Sequence, residues 1–205
     1  VTVPLDKELK YGEFEQSLER CKAKVIFFDK KQEQETKEAI LSGKTSIEFA
    51  FPMYEAEDLE TVTTLLEEGK ELVGKGDVSV DHMQIEPDAV SMLIFTSGTT
   101  SQSKIVMLSQ RNICSNVTNM IRIIPFKTTD TNIALLPYHH MFGSTGQWVM
   151  LANGVRTVYC DGLKYIQKNL KEYGVSVFVG VPLIIEQMYK KIMKTAEKEG
   201  LDGRI

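Results

Sequence analysis

Short β-type runs and longer helical patterns take turns along the whole chain, and that alternation limits the folds open to it. Val25-Ile26-Phe27-Phe28 is an apolar, β-rich run between Lys24 and Asp29. Ile47, Phe49 and Phe51 alternate with Glu48 and Ala50, so 46–51 reads as a strand that Pro52 closes. Strand signals recur at 91–96, 105–108, 132–136, 155–160 and 175–179. Helical spacing fills the gaps. Tyr11, Phe14, Leu18 and Cys21 recur at intervals of three and four, with Asp6 as the expected cap. A polar helix is expected over 30–44, ending near Gly43. Leu59, Val62, Leu65, Leu66, Leu72 and Val73 give 57–73 the clearest apolar stripe of the first half. Ser109 can cap a helix bearing Ile113, Val117, Met120 and Ile121. Further helices are expected across 143–152, 163–173 and 182–198, the last opened by Pro182. Strands separated by helices of about 10–15 residues imply βαβ crossovers. The expectation is an α/β fold, a mostly parallel sheet with helices on both faces.

At about 150 residues per domain, 205 residues make one large domain or two small ones. The polar connection 74–88, with two Gly and one Pro, is the expected division between a first α/β segment, 1–88, and a second, 89–205. A hydrophobic share of 42% excludes a wholly disordered chain. No apolar run reaches the roughly 18 residues of a membrane span. The opening VTVPLDKELKYGE lacks the basic and apolar regions of a signal peptide. It also lacks a Met, so a chain cut from something longer is expected. The net charge of −4 argues against a nucleic-acid binder. Lys190, Lys191, Lys194 and Lys198 are interspersed with Glu186, Glu197 and Glu199, as on a solvated helix face. Cys21, Cys114 and Cys160 are far apart and form no CxxC pair, which fits free thiols in a reducing cytoplasm.

The segment that carries chemistry is Phe95-Thr96-Ser97-Gly98-Thr99-Thr100-Ser101-Gln102-Ser103-Lys104. Six hydroxyl side chains, one Gly and one Lys follow directly on an apolar strand. Anions bind where backbone N–H groups converge, hydroxyls add donors and a cation neutralises charge. Open α/β sheets place ligands beyond the carboxyl ends of their strands, where this segment lies. It is no Walker A loop, because Ser103 precedes Lys104 and Ile105 follows it. A polar connection without a ligand is the alternative that composition leaves open.

Leu93-Ile94-Phe95-Thr96-Ser97-Gly98-Thr99-Thr100, then Lys104, then Ser109-Gln110-Arg111-Asn112, resembles the AMP-binding signature of the acyl-adenylate-forming enzymes. Leu135-Leu136-Pro137-Tyr138-His139-His140-Met141-Phe142-Gly143 is similar to that family's LPLxHxxG element. The VPLDKEL segment and the Gly180-Val181-Pro182 helix start match in family order, so the resemblance runs along the whole chain. It implies the acyl-CoA synthetase-like N-terminal domain, most similar to the long-chain fatty acid–CoA ligase type.

The resemblance also implies an activity. A carboxylate, with fatty acids the implied class, attacks ATP to form an acyl-adenylate, and coenzyme A takes the acyl group. Thr96, Ser97, Gly98, Thr99, Thr100 and Lys104 would hold the ATP phosphates. His140, Phe142 and Gly143 would line or gate the acyl pocket, with Trp148 on the adjoining helix as wall or core. No catalytic residue and no metal ligand is assigned within the chain. The Thr-Glu element for Mg²⁺ and the C-terminal lid with its catalytic Lys are not in these 205 residues, so the chain is expected to lack turnover alone. Ser101 and Ile105 stand where the family has Gly, and Ser103 where it has Pro, which removes positive φ at Ile105. The implied alternatives are an adenylation module loading a carrier protein and a non-catalytic phosphate-binding domain of the same fold. The expected location is the cytoplasm, with peripheral membrane association open.

Overall fold

A computed structural model describes residues 1–57, 59–96, 103–198 and 200. They form two compact units, Val1–Gln110 and Arg111–Ile205.

In the first unit the helix α1, Tyr11–Cys21, buries Phe14 and Leu18 one turn apart. Its start is not at Asp6, whose Oδ1 accepts from the Glu8 N–H at 3.0 Å in a separate turn. Lys10 is the N-cap, and its N–H donates to the Glu13 carboxylate. Lys22 closes the helix at φ 51, the left-handed region that Gly favours. Strand β1, Val25–Phe28, and strand β2, Phe49–Pro52, pair in parallel from Val25↔Phe49 to Phe28↔Pro52. A 3₁₀ turn at Lys30–Gln32 and helix α2, Glu33–Leu41, make the crossover between them. Ile26 and Phe28 point into a core with Phe14, Leu18 and Ala39. Val25 and Phe27 point the other way and stay exposed, and Phe27 stacks on Phe51 at 5.7 Å. Alternation along a strand produces this split. Pro52 is the last residue of β2, at the strand end where a missing N–H is tolerated.

Helix α3, Val62–Gly74, is capped by Thr61 Oγ1, which accepts from the Thr64 N–H at 3.3 Å. Much of its apolar stripe is exposed among the described residues, with Leu66 60% and Val73 71% exposed, while Val62 and Leu65 are half-buried.

Strand β3, Val90–Thr96, and strand β4, Lys104–Ser109, form an antiparallel hairpin that ends on Phe95↔Ile105 and Thr96↔Lys104. The connection between them is shorter than the dozen or so residues a parallel crossover requires. Thr2 joins β3 on its other side: its N–H donates to the Ser91 carbonyl at 2.8 Å, and the Leu93 N–H donates to the Thr2 carbonyl at 2.9 Å. This tie places the hairpin in the first unit, so the units divide later than the polar connection 74–88.

Helix α4, Gln110–Ile123, leads into the second unit. Strand β5, Thr131–Ala134, is followed by helix α5, Met141–Ala152, strand β6, Arg156–Tyr159, and helix α6, Ile166–Glu172, after a short 3₁₀ turn. Strand β7, Val177–Phe178, and helix α7, Pro182–Lys198, complete it. The three strands are parallel in the order β6-β5-β7, so the central β5 is the most buried, with Ile133 1% exposed. Val149, Met150 and Val155 form the core, packed by Val117, Met120, Ile121, Phe126, Val177 and Val179. Asn169 is fully buried. Its Nδ2 donates to Asp161 Oδ2 at 2.9 Å, and its Oδ1 accepts from the Asp161 N–H at 3.1 Å. No helix among the described residues is long and apolar enough to cross a membrane. Cys21, Cys114 and Cys160 are all free thiols.

Candidate functional site

Four of the expected phosphate-binding residues, Ser97, Gly98, Thr99 and Thr100, lie outside the described residues. The two that flank them are placed. Thr96 ends β3, Lys104 begins β4, and the pair face each other across the hairpin, both exposed. Ile105 sits in extended backbone opposite Phe95. Lys22 is the single non-glycine residue with positive φ among those described, so Ile105 carries no such strain.

A contact that sequence reading missed lies beside this pair. Arg20, in the last turn of α1, donates from Nη1 to the Ser103 carbonyl at 2.7 Å and to Ser103 Oγ at 3.3 Å. Its guanidinium carbon lies 5.7 Å from the centre of the Phe95 ring. The side chain therefore reaches β3 and the residue just before β4 at one end of the hairpin. Nothing in the local sequence marks Arg20, because a basic residue in the last turn of a helix already suits the helix dipole.

The second element is the turn from Pro137 to Ser144, in the other unit. His140 is the N-cap of α5, in extended backbone at φ −100 and ψ 136. Its N–H donates to the Pro137 carbonyl at 3.2 Å. Ser144 Oγ donates to the Tyr138 carbonyl, and the Ser144 N–H donates to the His140 carbonyl at 3.1 Å. The His139 and His140 rings lie 4.2 Å apart, tilted by 53°. His140 and Phe142 are exposed, while Gly143 is buried. A Cβ on Gly143 would stand 2.3 Å from the Pro137 carbonyl oxygen, so only Gly fits this approach. Gly143 lines a cavity of about 20 Å³ with Asn132, Ile133, Leu136, Tyr138 and Val179. That volume holds one water molecule. His140 and Phe142 do not line it. Burial pushes the Tyr138 phenol up, and the neighbouring Tyr159 adds to the effect. Trp148 is half-buried on α5, outside the core cluster.

Among the described residues no three His, Cys, Asp or Glu side chains gather as a metal site would require.

The fold resembles solved acyl-CoA ligases. The long-chain-fatty-acid-CoA ligase FadD1 from Archaeoglobus fulgidus superposes on 94% of this chain and 37% of its own length, with TM-score 0.76 and 19% identity. ATP-bound MatB from Rhodopseudomonas palustris superposes on 91% of this chain and 35% of its own, with TM-score 0.70 and 19% identity. The chain belongs to the AMP-binding enzyme family, whose pattern matches residues 1–203. In sequence it is 30% identical over 110 residues to the chloroplastic long-chain-fatty-acid–[acyl-carrier-protein] ligase AEE15 of Arabidopsis thaliana. That alignment takes in 54% of this chain and 15% of AEE15, so the chain spans a minor part of the relatives it matches.

Proposed function

We propose that the chain supplies the phosphate-binding part of an ATP-dependent, AMP-forming ligase that activates a fatty acid and passes it to coenzyme A. The observation that supports this most is the hairpin end. In a chain whose family is the AMP-binding enzymes, it sets the one lysine of the hydroxyl-rich segment opposite Thr96. In the first half-reaction a carboxylate oxygen bonds to the α-phosphorus of ATP, the bond from that phosphorus to the β-bridging oxygen breaks, and pyrophosphate leaves. In the second, the thiol sulfur bonds to the acyl carbon, AMP leaves with the electron pair, and the thiol proton goes to solvent. The contribution assigned to this chain is positional and electrostatic: the Lys104 ammonium neutralises phosphoryl oxygens, and the hydroxyls of Thr96, Ser97, Thr99 and Thr100 donate to them. Gly98 allows close backbone approach. His140, Phe142 and Gly143 are proposed for the acyl side, with Gly143 fixing the turn that displays the other two.

A second reading, transfer to a carrier protein, is favoured by AEE15, whose name specifies that acceptor. Binding is the first measurement, because the chain aligns with a minor part of its relatives. Calorimetric titration with pyrophosphate and with ATP should give saturable binding. Lys104→Ala should weaken it by about 10–100-fold, the worth of one charged hydrogen bond. Equal affinity in Lys104→Ala would remove the phosphate reading. Fatty-acid-dependent ATP–pyrophosphate exchange in the parent enzyme, followed by comparison of coenzyme A and carrier protein as acceptors, decides between the two ligases. Binding without any exchange would instead indicate a non-catalytic domain.

A further inference from the structure

We infer that Arg20 is a positioning residue for Lys104: it clamps the peptide plane from which the lysine departs. The inference rests on the phosphate-binding reading of Lys104, but the clamp itself can be measured without a ligand. One peptide plane contains both the Ser103 carbonyl and the Lys104 N–H. A charged donor at 2.7 Å on that carbonyl holds the plane and with it the position of the Lys104 Cα, from which the extended backbone of β4 sets the start of the side chain. Ser103 has no ring to set its own φ, so the Arg20 contact adds to the hold that the Thr96↔Lys104 pairing gives. Arg20 supplies its share three ways: the carbonyl, the hydroxyl at 3.3 Å, and the Phe95 ring at 5.7 Å on the opposite strand.

The anchor is also stiff at its far end. Arg20 sits two residues after Leu18, a core side chain 3% exposed, and two before the left-handed cap at Lys22. Helix α1 is thereby held against β1 and α2, and the guanidinium carries that rigidity 83 positions along the chain to Ser103. Arginine suits this task better than lysine, since its planar fork loses less freedom per bond formed.

The test is a double-mutant cycle on pyrophosphate affinity, with amide hydrogen exchange at residues 103–105 as a ligand-free readout. Arg20→Ala should speed exchange at these amides while leaving those of β1 unchanged, and should weaken pyrophosphate binding about ten-fold. Arg20→Lys should recover part of both losses, which a role in bulk folding would not require. Combined with Lys104→Ala, the Arg20→Ala change should add nothing, because a clamp acts only through what it holds. Additive losses would overturn the inference and make Arg20 an independent cation. So would unchanged exchange at 103–105. If neither chain binds pyrophosphate, the phosphate reading fails by itself, and faster exchange in Arg20→Ala still establishes the clamp.

Discussion

Replacing Gly143 by Ala sets two opposed effects against each other, and the structure says which should win. Within a helix, Ala is favoured over Gly by at most about 1 kcal/mol. Against that, the new Cβ would sit 2.3 Å from the Pro137 carbonyl oxygen, 3.0 Å from its carbon and 3.3 Å from the Leu136 carbonyl carbon. All three atoms are backbone, so no side chain can swing aside. Ordinary contact begins at 3.4 Å, so the turn must retreat by about 1 Å. The retreat works against the His140 N–H bond to the same oxygen at 3.2 Å. Overpacking of this kind costs about 1–3 kcal/mol, so a net loss of about 1–2 kcal/mol is expected. Gly146 is the internal control. Its added Cβ would meet only Val179 Cγ1 at 3.5 Å, so Gly146→Ala should be neutral or stabilising. The chain has a single tryptophan, Trp148, on the same helix, so urea unfolding followed by its fluorescence reports this unit. A Gly143→Ala midpoint equal to or above wild type would refute the reasoning. An equal drop in Gly146→Ala would show that the helix resists any added methyl and that the Pro137 contact is not the cause.

Lys22→Gly should stabilise the first unit by about 1 kcal/mol, since Lys22 occupies left-handed backbone without strain relief; denaturant titration checks this. The Lys127 N–H and the Ser176 hydroxyl, each donating at 2.8 Å, hold the Asp130 carboxyl below its ordinary range. Because the folded value is the lower one, its stabilisation is complete above the ordinary carboxylate range and is lost as pH falls through the folded value. Ser176→Ala should shrink that acid-side dependence in thermal melts between pH 6 and about 2.5, and an unchanged profile would rule out the hydroxyl's contribution. The exposed part of the α3 stripe should drive self-association at high concentration, and Leu66→Lys should reduce it in sedimentation velocity.

Periodicity was enough to find the elements, but not all of their pairings or ends. The apolar run Val25–Phe28 between polar neighbours reads as a strand, as does 132–136, and the observed strands Val25–Phe28 and Thr131–Ala134 both pair in parallel. The same alternation, taken as uniform, hides the hairpin. What makes β3 and β4 antiparallel is the short connection between them, which is visible in the sequence but is a matter of length and not of polarity. Asp6 satisfied the composition of a cap and failed as one, because a carboxylate can close its own local turn before any helix begins. The stripe on α3 was legible as a face, yet hydrophobic spacing says which residues share a side and not what covers them. The motifs mark Thr96, Lys104, His140 and Gly143 as candidates in the sequence. The contact between Arg20 and Ser103 carries no such mark, since it joins residues 83 positions apart through a geometry that no local pattern encodes.

The bridge between Thr2 and Met92 bears on the order in which the first unit comes together. Strands β1 and β2 meet across a single helix, and β3 meets β4 across a short connection, so each closes a small loop. Thr2 must find a partner about ninety residues away. Loop closure grows only slowly more costly with length, but a contact so distant in the chain is made slowly and gains nothing until its target strand exists. The two hydrogen bonds of Thr2 are therefore expected to form last in the assembly of this unit. They are expected to open before the core does, so the Thr2 and Leu93 amides should exchange faster than those around the buried Phe14 and Ile26.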